Sequence, residues 1–281
     1  MTGTDFLLQA PAMPPPVVAA LARQAQARAI VPVGAGAPVA YRFPDVAVRE
    51  DVLAAARAAG CDGAFVPSQR RLDQVRVVAM DMDSTLITIE CIDEIADMKG
   101  IKAEVAAITA SAMRGEIDFA ESLTRRVALL TGLPATELER VYDERLRISP
   151  GAVRMLTEFK AAGATTALVS GGFTFFTDRL KATLPLDVAV ANTLEVAGGR
   201  LTGRIEGPVV DGEAKAAAVR ALKARSGRGG ITVAIGDGAN DLPMFAASDV
   251  AIAYRAKPVV RAQATYALDV CGLDGALNFF R

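Results

Sequence analysis

Two aspartates, Asp81 and Asp83, stand two residues apart where the apolar run Val77-Val78-Ala79-Met80 stops, and Ser84 and Thr85 follow them. A second apolar run, Thr165-Thr166-Ala167-Leu168-Val169, stops at Ser170-Gly171-Gly172. A third, Ile231-Thr232-Val233-Ala234-Ile235, runs into Gly236-Asp237-Gly238-Ala239-Asn240-Asp241. Carboxylates gathered in this way repel one another unless a cation is present. Donors that are all oxygen select a hard ion, Mg2+ before Ca2+ or Mn2+. Ser170 and the amides of Gly171 and Gly172, at the start of a helix, form an anion site suited to phosphate. Lys215 adds a point charge on a later helix. Metal, anion site and lysine together describe phosphoryl transfer.

The chemistry open to these residues is narrowed by what the chain lacks. It contains no histidine, which removes Ser-His-Asp and Cys-His nucleophile systems, phosphohistidine chemistry and His-ligated zinc. No GxxxxGK[ST] nucleotide loop is present. An aspartate is therefore the expected nucleophile, through an aspartyl-phosphate. Cys61, Cys91 and Cys271 are far apart and have neither zinc nor disulfide spacing. Cys91, close to the acidic motif but without a basic partner, is expected to be a packed thiol.

These motifs need strands that end together. Runs so apolar and β-branched suit parallel strands covered on both faces, and open α/β sheets hold ligands at the carboxyl ends of such strands. Helices are expected over 151–162, with Ser149 as cap and Pro150 in the first turn, over 173–183 and over 213–225. A further strand is expected over 188–191 and a hairpin over 194–210, in which Arg200 and Arg204 are solvated. Strand alternating with helix predicts a Rossmann-like, doubly wound parallel sheet. Between about 92 and 149 the pattern is helical throughout, which predicts a helical-bundle cap inserted over the strand ends.

Residues 1–72 read as a small α+β domain, with helices over 17–28 and 50–59 and strands over 29–33 and 63–66. Gly34-Ala35-Gly36-Ala37-Pro38 reads as a turn and 67–71 as a linker to a second domain spanning 73–281. The first domain carries no catalytic constellation and is expected to be regulatory or dimerising, the latter implying a homodimer. The 281 residues are 52% hydrophobic and 22% charged, with a net charge of −1 from 31 basic and 32 acidic residues. No nucleic-acid or membrane partner is indicated by that balance. No run approaches the roughly 20 apolar residues of a membrane span, so a soluble cytoplasmic protein is expected.

Asp81-Met82-Asp83-Ser84-Thr85 resembles the DxDx(T/V) signature of the haloacid dehalogenase-like hydrolases, and Ser170, Lys215 and 236–241 match that family's other motifs in order over about residues 75–260. Within it, the chain resembles the phosphoserine phosphatases. That resemblance implies hydrolysis of O-phosphoserine, a small-molecule substrate, as the last step of serine biosynthesis. It implies Asp81 as nucleophile and Asp83 as acid then base. Mg2+ would be held by Asp81, the main-chain carbonyl of Asp83 and Asp237, with Asn240 and Asp241 in support. Glu90 would take the substrate ammonium and Arg126 its carboxylate, shielded by Met113 and Phe119 near Gly115. Ser170, Gly171, Lys215 and Asn240 would face the phosphate. The N-terminal region resembles an ACT-like domain.

Blander readings stand beside these. Arg126 could instead pair with Glu121 or Glu137 on the surface, as its neighbour Arg125 is expected to do with solvent. Phe173, Phe175 and Phe176 are expected to pack a helix. The same machinery would also serve another small phosphate ester or a phosphotransfer, and a regulatory amino-acid-binding protein with a vestigial site is a further alternative.

Overall fold

In a computed structural model the described residues are 3–34, 38–227 and 229–281; part of the turn expected at Gly34-Pro38 lies outside them. The central strand is β5 (Val75–Met80), whose side chains alternate between two cores. Val78 and Met80 join the larger core on one face, while Val77 and Ala79 join a smaller one on the other. That two-sided burial is why the run carries no polar alternation after Arg76.

The sheet also contains β6 (Thr165–Phe173), β7 (Val188–Ala197), β8 (Arg200–Glu206), β9 (Ile231–Gly236), β10 (Val250–Tyr254) and β11 (Tyr266–Leu268). Their spatial order is β11-β10-β9-β5-β6-β7-β8. All neighbouring pairs are parallel except β7 with β8. The chain leaves β5 towards β6 on one side and returns to β9 on the other. The strand order therefore reverses at β5, and the crevice this opens at the carboxyl ends is where such sheets bind ligands.

Helices α7 (Ala152–Ala161), α8 (Thr174–Thr183), α9 (Gly212–Arg225), α10 (Leu242–Ala246) and α11 (Pro258–Arg261) connect the strands. Ser149 does not cap α7: Gly151, at φ +78°, is the cap residue and offers no side chain. Ser149 is instead buried, and its N–H donates to Leu86 O at 2.9 Å. The strand predicted over 165–169 runs on to Phe173, which delays α8 to Thr174.

Between β5 and α7 lie helices and turns with no strand beyond isolated bridges at Ile87–Ile148 and at Pro134: α3 (Cys91–Lys99), α4 (Lys102–Met113), α5 (Phe119–Ala128) and α6 (Thr136–Arg140). The Asp118 carboxylate caps α5 by accepting from Glu121 N at 2.8 Å. Leu123 and Val127 anchor this helix in the core.

The N-terminal residues form a separate antiparallel sheet of order β2-β3-β1-β4, from β1 (Thr4–Ala10), β2 (Val31–Pro32), β3 (Val39–Phe43) and β4 (Asp62–Pro67). Helices α1 (Pro15–Gln24) and α2 (Glu50–Ala58) cover one face around Phe6, Leu8 and Phe43. The other face, with Leu7, Ala40 and Val66, joins the main core beside Phe279 and Phe280. Asp62 fixes this docking by accepting from Asp269 N and Cys271 N, each at 2.8 Å. Strands β1 and β3 have no counterpart in the reading of the sequence, and the strand expected over 29–33 shrinks to Val31–Pro32. No helix among the described residues is long and apolar enough to cross a membrane.

Candidate active site

Asp81 follows β5 directly, and its N–H donates to Ile235 O on β9 at 3.0 Å. The two acidic strand ends are thereby held side by side. Asp81 Oδ1 accepts from Met82 N at 2.7 Å and Oδ2 meets Lys215 Nζ at 2.8 Å. Lys215 Nζ also reaches Asp241 Oδ1 at 2.8 Å. The other oxygen of Asp241 accepts from Asp237 N and Gly238 N, each at 3.1 Å. Lys215 and Asp241 are both 0% exposed. A buried ammonium survives only when its charge and donors are matched. Burial works against the Lys215 charge, and Asp241 and Asp81 outweigh it, so the ammonium is held above its ordinary range.

A cavity of about 530 Å³ opens above this floor. It is lined by Asp81, Asp83, Glu90, Met113, Phe119, Arg126, Gly171, Asp237 and Asn240, all expected from the sequence. Ser170, Lys215 and Asp241 do not line it and lie fully buried behind it. On α5, Phe119, Ser122, Leu123 and Arg126 fall at the i, i+3, i+4, i+7 spacing of one helix face and all reach the cavity. Lining residues without a motif to betray them include Ile92, Asp93, Thr109 and Lys257. Ile92 and Asp93 are in the first turn of α3, and Lys257 is brought in by its N–H to Asp237 O at 3.4 Å.

Arg126 makes neither surface pair open to it in the sequence. Glu121 is taken by Arg125 and Glu137 by Arg140. Its one hydrogen bond within the described residues runs from Nε to Ser122 O at 3.3 Å. Burial lowers its guanidinium pKa, against the pull of Asp93, Glu90 and Asp83. Glu90 lines the cavity, and its carboxylate accepts from Ser84 Oγ at 2.5 Å. Its carboxyl is raised by burial, against that contact, and by Asp81. Ser84 adopts φ +53° to make the turn, a left-handed backbone that a non-glycine residue adopts only at a cost.

The two motif aspartates differ in surroundings. Asp83 Oδ1 accepts from Cys91 N at 2.9 Å and has no cation against it among the described ion pairs. Burial, then Glu90 and Asp81, pushes its carboxyl up to about 8. Cys91 is a packed, buried thiol, pushed well up by burial and by Asp83. Asp237 accepts from Thr85 Oγ1 at 3.1 Å, and burial with Asp81, Asp241 and Glu90 pushes it up to about 7.

Oxygens of Asp81, Asp237 and Asp241 all lie within 4.8 Å of one another. These crowded, proton-seeking carboxylates fit a hard divalent cation. Asp241 is the least available of the three, since it is fully buried and, unlike Asp81 and Asp237, does not line the cavity. The side chain of Asp83 turns away from them towards α3.

Gly171 and Gly172 lie in the last three residues of β6, so the anion site expected at a helix start sits just before α8. A Cβ on Gly171 would come within 2.7 Å of the Phe119 ring, and one on Gly172 within 2.7 Å of Asp83 Oδ2. Only glycine lets the strand end approach the acid so closely. Phe173 is buried in the core and also lines the cavity; Phe175 and Phe176 stack edge to face, with Arg179 over Phe175 at 3.5 Å. Arg200 donates to Gly132 O and Arg204 pairs with Glu195, and both stay solvated as expected, Arg200 being exposed and the Arg204 side chain 70% exposed.

The haloacid dehalogenase-like hydrolase profile matches residues 78–246, from within β5 to the end of α10. The chain belongs to the haloacid dehalogenase-like hydrolases. Among curated relatives, this hydrolase is 50% identical over 220 residues to a phosphoserine phosphatase of Polaromonas sp., covering 75% of this chain and 92% of that one. A crystal structure of a probable phosphoserine phosphatase from Vibrio cholerae matches 98% of this chain and 86% of its own, with TM-score 0.85 and 35% identity. A phosphoserine phosphatase holding a phospho-aspartyl intermediate analogue matches 74% of this chain and all of its own, with TM-score 0.69 and 38% identity. The first structure covers nearly all of the chain, the N-terminal sheet included, and the second about three quarters of it.

Proposed function

We propose that this hydrolase is a phosphoserine phosphatase that works through an aspartyl-phosphate on Asp81. The observation that carries the reading is Arg126, a guanidinium with no carboxylate hydrogen-bonded to it among the described residues, in the same cavity as Glu90 and the Asp81-Asp83 pair. A zwitterionic amino acid bearing a phosphate needs one carboxylate, one guanidinium and one phosphoryl site. Arg binds a carboxylate through two parallel hydrogen bonds. The likeness to named phosphoserine phosphatases supports the same substrate.

In the first step an Asp81 carboxylate oxygen bonds to phosphorus as the bond from phosphorus to the serine oxygen breaks. The Asp83 carboxyl, raised to about 8 and so protonated at neutral pH, gives its proton to the departing oxygen. In the second step Asp83 accepts a proton from water, the water oxygen bonds to phosphorus, and the bond to Asp81 breaks to release phosphate. A positioned acid of this kind contributes roughly 10²–10⁴ in rate. Lys215 holds Asp81 in place and offsets its charge. Asp81 and Asp237, with the main-chain carbonyl of Asp83, would hold Mg2+, which supplies neutralisation of the phosphoryl oxygens when bound. Phosphate release from O-phosphoserine in Mg2+, abolished by EDTA and restored by added Mg2+, tests the assignment; full turnover in EDTA would refute the metal requirement.

Two predictions follow from particular side chains. Arg126→Ala should raise KM for phosphoserine by about thirtyfold or more, the scale of a truncated buried charge contact. For a phosphate ester without a carboxylate KM should hardly change, and an equal rise for both would refute carboxylate binding. The second concerns pH. With Asp83 raised to about 8, the acid is lost as pH rises through that value, so kcat for phosphoserine should fall there. An aryl phosphate, whose leaving group departs without a proton, should keep its rate across the same range. Parallel alkaline limbs for both esters would remove Asp83 as the acid.

A further inference from the structure

The turn that ends β6 is held from a neighbouring strand by a residue that no motif singles out. Asn192, on β7, is 1% exposed and pairs with Phe173 of β6 after a register shift. Both ends of its amide are used. Oδ1 accepts from Val210 N at 2.7 Å, and Nδ2 donates to the Gly171 carbonyl at 2.8 Å. The backbone N–H of Val210 fixes which end is oxygen, so the other end must be the donor.

The Gly171 carbonyl and the Gly172 N–H belong to one planar peptide group, and holding the first aims the second. That N–H donates to Ser170 Oγ at 2.9 Å. Ser170 is 0% exposed, and its hydroxyl hydrogen meets no acceptor among the described residues. A buried donor left unspent is costly. Gly172 lines the active-site cavity, and the Ser170 hydroxyl lies buried directly behind it, 2.9 Å from the Gly172 nitrogen. An anion oxygen entering there would accept it.

We propose that Asn192 is a positioning residue for the phosphoryl group, acting on Ser170 through the peptide between Gly171 and Gly172. The reading rests on the cavity being a phosphatase site. The chain of bonds runs from Asn192 Nδ2 to the Gly171 carbonyl, and from the Gly172 N–H to Ser170 Oγ. The Ser170 hydrogen is then left for a phosphoryl oxygen. In a low-dielectric interior each bond polarises the next, which makes the last donor stronger. At its other end Asn192 holds Val210, two residues before α9, the helix that carries Lys215. One side chain thus ties together the two segments expected to face the phosphate. An apolar residue of the same size would fill the space and leave the Gly171 carbonyl and Val210 N–H unpaired.

A double-mutant cycle tests this, measured with both phosphoserine and a simple aryl phosphate. Asn192→Ala should lower kcat by roughly threefold to tenfold, the rate equivalent of one hydrogen bond. In a Ser170→Ala background the same change should cost less than about twofold, because the end of the chain is already gone. Asn192→Asp keeps the shape and the acceptor for Val210 and, once its carboxyl is ionised, cannot donate to Gly171; measured across a rising pH series, it should lose as much kcat as Asn192→Ala at the alkaline end relative to the parent at the same pH. If the alanine variant fails to fold, the aspartate variant carries the cycle. Equal losses with and without Ser170, or wild-type kcat in Asn192→Asp at the alkaline end, would overturn the proposal. Turnover of the aryl phosphate alone would refute phosphoserine as substrate and leave the cycle readable; turnover of neither ester would overturn both readings.

Discussion

Asp81→Asn should lower turnover by about 10⁴-fold or more, the scale reached when the nucleophile of a cooperating catalytic set is removed, and should leave the fold at least as stable as the parent. The loss follows because no other carboxylate shares the position of Asp81. Asp83 is turned towards Cys91 N, Asp237 is held by Thr85, and Asp241 is buried against Lys215. The gain in stability follows from charge. Asp81 raises the carboxyls of Asp83, Asp237, Asp241 and Glu90, and asparagine removes that repulsion. Its Oδ1 can still accept from Met82 N, and Lys215 keeps Asp241. Thermal unfolding and single-turnover kinetics on the same sample separate the two effects. Residual turnover near that of the parent would move the nucleophile elsewhere, and a large fall in Tm would mean that the Asp81–Lys215 contact outweighs the crowding.

The opposite pattern is expected at the other end of that contact. Lys215→Met keeps most of the side-chain volume but leaves Asp81 and Asp241 buried without their cation. Breaking a buried ion pair from one side typically costs about 3–5 kcal/mol, and that loss should appear in denaturant unfolding with EDTA present. Its pH dependence has a definite sign. With Lys215 present, Asp241 lies at about 6, raised by burial and Asp81 and restrained by Lys215. Without the lysine it moves higher still. Below about 6 both proteins hold Asp241 protonated, so its contribution to the deficit is small; above 6 only the parent ionises it favourably, and the deficit grows with pH. Activity should fall together with stability. A deficit that shrinks with rising pH would contradict the charge argument, and unchanged stability would mean that the triad is not what holds this floor together.

The parts of the molecule that were legible in the sequence are those whose signal is local. Val77 to Met80 announces a strand covered on two faces because every one of its side chains is apolar. The acidic residues that close β5 and β9 are adjacent to those runs, and a parallel sheet must bring such ends to one edge. The helical cap was legible because no β-branched run interrupts residues 92–149. What escaped depends on partners distant in the chain. Asn192 binds Gly171, 21 residues away, and Val210, 18 away, and nothing around it marks a site. Lys257 and Asp93 reach the cavity only through the packing of α11 and α3. Ser149 looked like a cap because Ser before Pro favours a helix start, but Gly151, with a left-handed backbone, took the position. Strand β1 was missed because Phe6-Leu7-Leu8 is short and ends in a proline-rich stretch, and only pairing with β3 and β4 defines it.

The most direct measurement of the central claim is kcat/KM for O-phosphoserine against O-phosphothreonine and an aryl phosphate, in Mg2+ at neutral pH. With Glu90 proposed to take the ammonium and Arg126 the carboxylate, in a cavity also lined by Phe119 and Met113, phosphoserine should be favoured over both. Against the aryl ester the margin should be at least about thirtyfold, the worth of one charged contact. Equal values for the three esters, or none for phosphoserine, would contradict the account.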